Sequence, residues 1–178
     1  DMSSEFSLFE LFVKMLRKAA GSGRRNFVFV LGNHELWDFP GLSVDEIVDK
    51  YRTVLKENGM YLLHNDLFYR NESDDMGIIP YNELIQLDNQ AILEKLRCTR
   101  LVILGGLGFS GYNEEFNAND GVYRETVDRN TEIQESKKFE QLYDKLTDVL
   151  ARKNTVIFTH TPKKDWCADA NCHDDFVY

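Results

Sequence analysis

Apolar residues recur in two different rhythms along this chain. Over 4–19, Phe6, Phe9, Phe12, Val13 and Leu16 fall three or four positions apart, the spacing of one helix face. Gly21 and Gly23 follow as stop signals. A second such stretch opens on Ser43-Val-Asp-Glu46, a capping box. It runs to about Glu57 with Ile47, Val48, Tyr51, Val54 and Leu55 on one side, and Gly59 stops it. Residues 82–97 read as one helix with Leu84, Ile85, Ile92 and Leu93 inward. Residues 124–152 read as a long helix facing inward through Ile133, Phe139, Leu142, Tyr143, Leu146 and Leu150.

The other rhythm is an unbroken apolar run. Residues 26–31, 101–106 and 155–160 have this character, which suits strands covered on both faces. Residues 61–70 read as two short strands around a tight Asn65-Asp66 turn, and 71–75 as a loop. Residues 107–121 form a long Gly- and Asn-rich loop, and 176–178 begin a further strand. Buried strands alternating with helices predict a single α/β layered domain over 1–178.

In such folds ligands sit beyond the carboxyl ends of strands. Two of the three apolar strands end in functional groups there: Gly32-Asn33-His34-Glu35 and Thr159-His160-Thr161-Pro162. An amide oxygen and imidazole nitrogens suit borderline divalent ions such as Mn, Fe, Zn or Co. If the two strands are parallel neighbours, His34 and His160 meet despite their distance along the chain. A strand-end Asn-His can equally cap a helix or satisfy a turn, so spacing alone leaves both readings open.

The string "VLGNHE", with a later strand ending "FTHTP", resembles the calcineurin-like metallophosphoesterases. That family carries five blocks: Asp-x-His, Gly-Asp, Gly-Asn-His-Glu/Asp, a strand-end His, and Gly-His-x-His. The third and fourth are intact here. The resemblance implies a two-sheet sandwich flanked by helices and hydrolysis of a phosphoric ester at two divalent metal ions. It implies that Asn33 and His160 are metal ligands, and that His34 is not a ligand but the acid that assists the leaving oxygen. Asp1 would be the metal-bridging aspartate of the second block, although the glycine before it is absent. The first and last blocks are missing, and His173 in "NCHDD" does not supply the last. The chain is therefore expected to be an internal fragment with little activity alone. The alternative is a binding scaffold of the same fold with a degenerate metal site.

Composition narrows the substrate without naming it. A net charge of −9 argues against broad attraction to nucleic acid or anionic lipid. Bound metal ions would still give a phosphoester a local positive field. No apolar run reaches the length of a membrane span. The three cysteines, Cys98, Cys167 and Cys172, are too few for a disulfide framework, and a cytoplasmic location is expected.

Other signals are weaker. Gly106-x-Gly108-x-x-Gly111 matches a dinucleotide fingerprint as a string, but "YNEEFNAND" after it lacks the helical period that mechanism needs. The same loop, if it borders the phosphoester site, offers Asn113 and Asn117, with Ser110 and Tyr112, to substrate. Cys167, Cys172 and His173 lack a second ligand pair for zinc. His64 is expected to bond locally beside its turn. Trp37 and Trp166 follow the two functional strand ends, as cleft walls or as core.

Overall fold

The computed structural model describes residues 5–21, 26–37, 39, 41–109, 129–163 and 166. It is a mixed α/β structure with two sheets. In chain order the elements are α1 (Phe6–Ala20), β1 (Val28–Phe29), α2 (Asn33–Trp37), α3 (Val44–Glu57), β2 (Tyr61–Leu62), β3 (Asp66–Asn71), β4 (Met76–Ile79), α4 (Tyr81–Gln86), α5 (Asn89–Lys95), β5 (Thr99–Gly108), α6 (Arg129–Leu150) and β6 (Thr155–Thr161). Strands β1 and β2 form a parallel pair, and the second sheet has the order β4-β3-β5-β6. Within it β5 and β6 are parallel, while β3 is antiparallel to both β4 and β5.

Each sheet gathers its own apolar cluster. Phe9 and Val13 of α1, and Ile47, Val48, Tyr51 and Leu55 of α3, pack with Phe29, Leu31 and Leu62. Tyr51 is the hub, with the rings of Phe6 and Phe9 set edge-on at 5.0 and 4.7 Å, a favoured aromatic geometry. On the four-stranded sheet, Leu67, Val102 and Leu104 pack with Leu84, Ile92, Phe139, Leu142 and Leu146. The sheets approach where β5 lacks side chains: a Cβ on Gly105 would lie 2.6 Å from Leu63 and 3.2 Å from Val30.

The rhythm of α3 is realised closely, whereas Phe12, expected on the apolar face of α1, is exposed. Ser43 and Glu46 close both halves of the predicted capping box. Gly59 takes φ +71, a conformation open to glycine at little cost. The expected inward residues of α3 are all buried.

Three expectations need correction, and one strand is added. The single helix over 82–97 is two, because Asp88 caps a new start by accepting the Ala91 N–H at 2.7 Å; this turns Ile85 outward. Strand β4, which the apolar pattern did not reveal, pairs with β3 through a turn held by Asn71, Ser73 and Asp75. Strands β2 and β3 do not pair with each other: β2 joins β1 and β3 joins β4 and β5. Gly106 lies in the strand as expected, but the strand runs on through Leu107 and Gly108, where the loop was expected to begin. A Cβ at Gly106 would meet Asn65 at 2.5 Å and Phe139 at 2.6 Å, so close packing explains that glycine. The fingerprint's third glycine and the strand begun at 176 lie outside the described residues.

Candidate functional site

Strand β1 runs into Gly32, the position before the first residue of α2. Glu35, the third helical residue, turns back so that its Oε2 accepts the Gly32 N–H at 2.8 Å. This is the reciprocal half of a capping box. It satisfies one otherwise orphaned helix N–H and fixes the entry angle of the segment carrying Asn33 and His34. Glu35 is 1% exposed, so this carboxylate is structural as well as polar. His34 is half-buried on the first turn of α2. Asn33 begins α2; its side chain lies outside the described atoms, as does that of Trp37.

His160 is the penultimate residue of β6 and is half-buried. Burial lowers its pKa from the ordinary imidazole value; Glu35 opposes that shift and His34 adds to it. The charges of His34 and Glu35 thus act on His160. A neutral imidazole has a lone pair to give, which is the form a metal ligand requires. The chemistry of this donor set therefore fits a borderline divalent ion.

The expected route to this coupling was different. β1 and β6 are not parallel neighbours: they belong to separate sheets. The strand ends are related by the approach of one sheet to the other near Val30, Leu63 and Gly105. Asp1, Asn113 and Asn117 lie outside the described residues, as do Ser110, Tyr112, Cys167, Cys172 and His173. Among the described residues no three His, Cys, Asp or Glu side chains gather to hold a metal ion; the expected ligand set also counts Asn33 and Asp1. Trp166 is exposed and packs edge-on to Phe109 and Tyr143 at 5.2 and 5.7 Å.

A second polar cluster escaped the sequence reading. His64 bonds locally only through its backbone, whose N–H donates to Asp66 Oδ2 at 3.1 Å. Its ring reaches across the fold, with Nε2 3.1 Å from Oε2 of Glu135 on α6. Lys138 Nζ donates to the other Glu135 oxygen. Burial pushes the Glu135 carboxyl up, but the bonds from His64 and Lys138 outweigh it and hold the group below the usual glutamate range. Asp66, 3% exposed, also receives Arg52 at 3.2 Å and the Tyr81 N–H at 3.1 Å. It thus caps α4, whose own Pro80 cannot do so through a side chain. Asn65 takes φ +61, a left-handed conformation that Asn tolerates better than most residues.

Among the described residues no helix is long and apolar enough to cross a membrane. In comparisons with known proteins, no protein-family model, no curated protein and no solved structure matched the chain.

Proposed function

We propose that this chain carries part of a two-metal phosphoester hydrolase site, built on a two-sheet sandwich flanked by helices. The observation that carries the reading is that the charges of His34 and Glu35, on the segment after β1, bear on His160 at the end of β6 in the other sheet. The sequence resemblance assigns roles to them. Asn33 and His160 would hold a divalent ion, with Asp1 bridging to a second; Mn, Fe, Zn and Co all suit these donors. The ions, when bound, supply a hydroxide nucleophile and a positive clamp on phosphate oxygens.

The chain's own residues do the rest. Glu35 holds the start of α2, and so orients His34 toward the departing oxygen. His34 gives that oxygen a proton or a hydrogen bond as the ester bond breaks. Asn113 and Asn117 are candidates to contact the substrate. A phosphomonoester, a phosphodiester, a nucleotide or a phosphoprotein would each satisfy this chemistry.

The test is hydrolysis of p-nitrophenyl phosphate by the protein, with Mn²⁺ added. His34→Ala should lower kcat by about 10²–10⁴-fold with metal affinity retained. Asn33→Ala and His160→Ala should instead raise the metal concentration needed for half-maximal rate. Turnover that is indifferent to all three variants would contradict the assignment. Metal binding without turnover would favour the scaffold reading.

A further inference from the structure

Helix α1 is apolar on two sides. Phe9 and Val13 are buried and pack in the cluster around Tyr51. Leu8, Leu11, Phe12 and Met15 lie on the other side and are 51%, 54%, 44% and 62% exposed. A helix with large apolar side chains all round its axis is one that is covered all round.

The exposed four are not scattered. They follow one another at intervals of three, one and three residues, the spacing of a helix-packing seam. The seam runs over two turns, about 10 Å of helix axis. It forms a patch of a few hundred Å², the size at which exposed apolar surface marks an interaction site.

The charges beside the seam are of one sign. At about 100° per residue, Lys14 and Lys18 fall on one flank of it, while Glu10 and Arg17 fall on the far side of the helix. Lys14 and Lys18 are both exposed. Among the described residues neither is paired with a carboxylate, Glu10 one turn before Lys14 included. The negative end of the helix dipole favours cations near Lys18, but leaves their ammonium groups in water and open to a partner. In a chain of net charge −9, two free cations beside an exposed apolar seam set this face apart.

That pattern selects the occupant. A second copy of the chain does not complement it. Antiparallel pairing sets the flank of Lys14 and Lys18 against itself, and parallel pairing sets it against the flank of Leu16, which holds no carboxylate at that level. An anionic membrane would attract the two lysines but repel the chain as a whole. A seam two turns long on a helix already packed on its other side would also insert little apolar surface.

We propose that α1 docks an acidic amphipathic helix of a partner protein, whose apolar residues interleave with Leu8, Leu11, Phe12 and Met15 and whose carboxylates meet Lys14 and Lys18. This interface uses none of the residues assigned to phosphoester chemistry, and stands or falls without them.

The experiment is a fluorescence-anisotropy titration of the protein into a labelled helical peptide of three Leu-Glu-Glu-Leu-Leu-Glu-Glu heptads. Amide shifts of the ¹⁵N-labelled protein locate the contact. Controls are the same peptide with Lys for every Glu, and a scrambled acidic peptide. The acidic helix should bind with a dissociation constant on the order of 10 µM and move the amides of 8–18. Both controls should bind at least about tenfold more weakly. Leu11→Ser/Met15→Ser changes two exposed side chains, and should weaken the acidic helix by about tenfold while the unliganded spectrum stays folded. Lys14→Glu/Lys18→Glu should reverse the preference, so that the lysine peptide binds more tightly than the acidic one. Equal binding of the lysine peptide, an affinity unchanged in either variant, shifts away from α1, or no binding would each overturn the proposal. So would a dimer in sedimentation equilibrium that Leu11→Ser/Met15→Ser abolishes, which would make the occupant a second copy. Flotation with phosphatidylserine vesicles that the same variant abolishes would make it a membrane, and would overturn the proposal too.

Discussion

Two strand-end corners carry most of the buried polar chemistry, and they are built in opposite ways. The corner after β1 is closed locally: Glu35 returns to Gly32 three residues back. The charges of its His34 and Glu35 bear on a distant residue, His160. The corner after β2 is closed at long range. Its backbone is fixed by Asp66, but its imidazole is held by Glu135 from α6. A locally closed corner can lose a functional side chain and keep its shape. A corner closed by a distant partner ties the shape of the fold to that side chain.

That contrast predicts a double dissociation. His34→Ala should cost activity by the large factor given above and change the melting temperature little. His64→Leu should do the reverse, because it leaves Glu135 buried with one partner fewer. Its cost should be about 1–3 kcal/mol, read as a lower urea midpoint, with the metal requirement unchanged. The double variant His64→Leu/Glu135→Leu should recover much of that loss, since apolar replacement of both partners avoids the orphan. Equal destabilisation by His34→Ala and His64→Leu would erase the distinction between the corners.

Gly106→Ala tests the same long-range corner from the sheet side. Its Cβ would collide with Asn65 and Phe139, and overpacking of this kind costs about 1–3 kcal/mol. Acid provides a milder probe. The Glu135 carboxyl is held below its ordinary value of 4.5. Its contribution to stability is thus complete above that value and is lost as pH falls through the folded-state pKa. Thermal stability should drop in that window for the wild type, and drop less for the double variant. The smallest expected effect is Ser43→Ala. It removes the cap at the start of α3 and should cost about 1 kcal/mol, measured by the same urea midpoint, with no change in activity.

The sequence was most legible where structure is local. The α3 capping box, the Gly59 stop and the inward face of α3 follow from residues within one or two turns of each other. The strands other than β4 were found, but their partners were not. An apolar run says that a strand is covered, not which strand lies beside it, so β1 and β6 were expected in one sheet and lie in two. The Asn65-Asp66 turn was visible, yet the sequence reads no differently for a hairpin than for a strand that changes sheets. His64 was misjudged for the same reason. Nothing near it in the chain announces Glu135, and an acidic residue on a long helix reads as a solvated face. Glu135 is 4% exposed; only the fold reveals it. Gly108 was placed in a loop because its close approach to the Thr159 and Thr161 positions of β6 has no local signature.

The central claim is that Asn33 and His160 grip one divalent cation. It is tested most directly by adding substoichiometric Mn²⁺ to the ¹⁵N-labelled protein and following paramagnetic broadening of its amides. The account predicts that Gly32, Asn33, His34 and His160 broaden together, before the exposed carboxylates of α3 and α6, and that His160→Ala abolishes the effect at 32–34. Broadening of 32–34 that persists without His160, or a His160 signal untouched while 32–34 disappear, would contradict it.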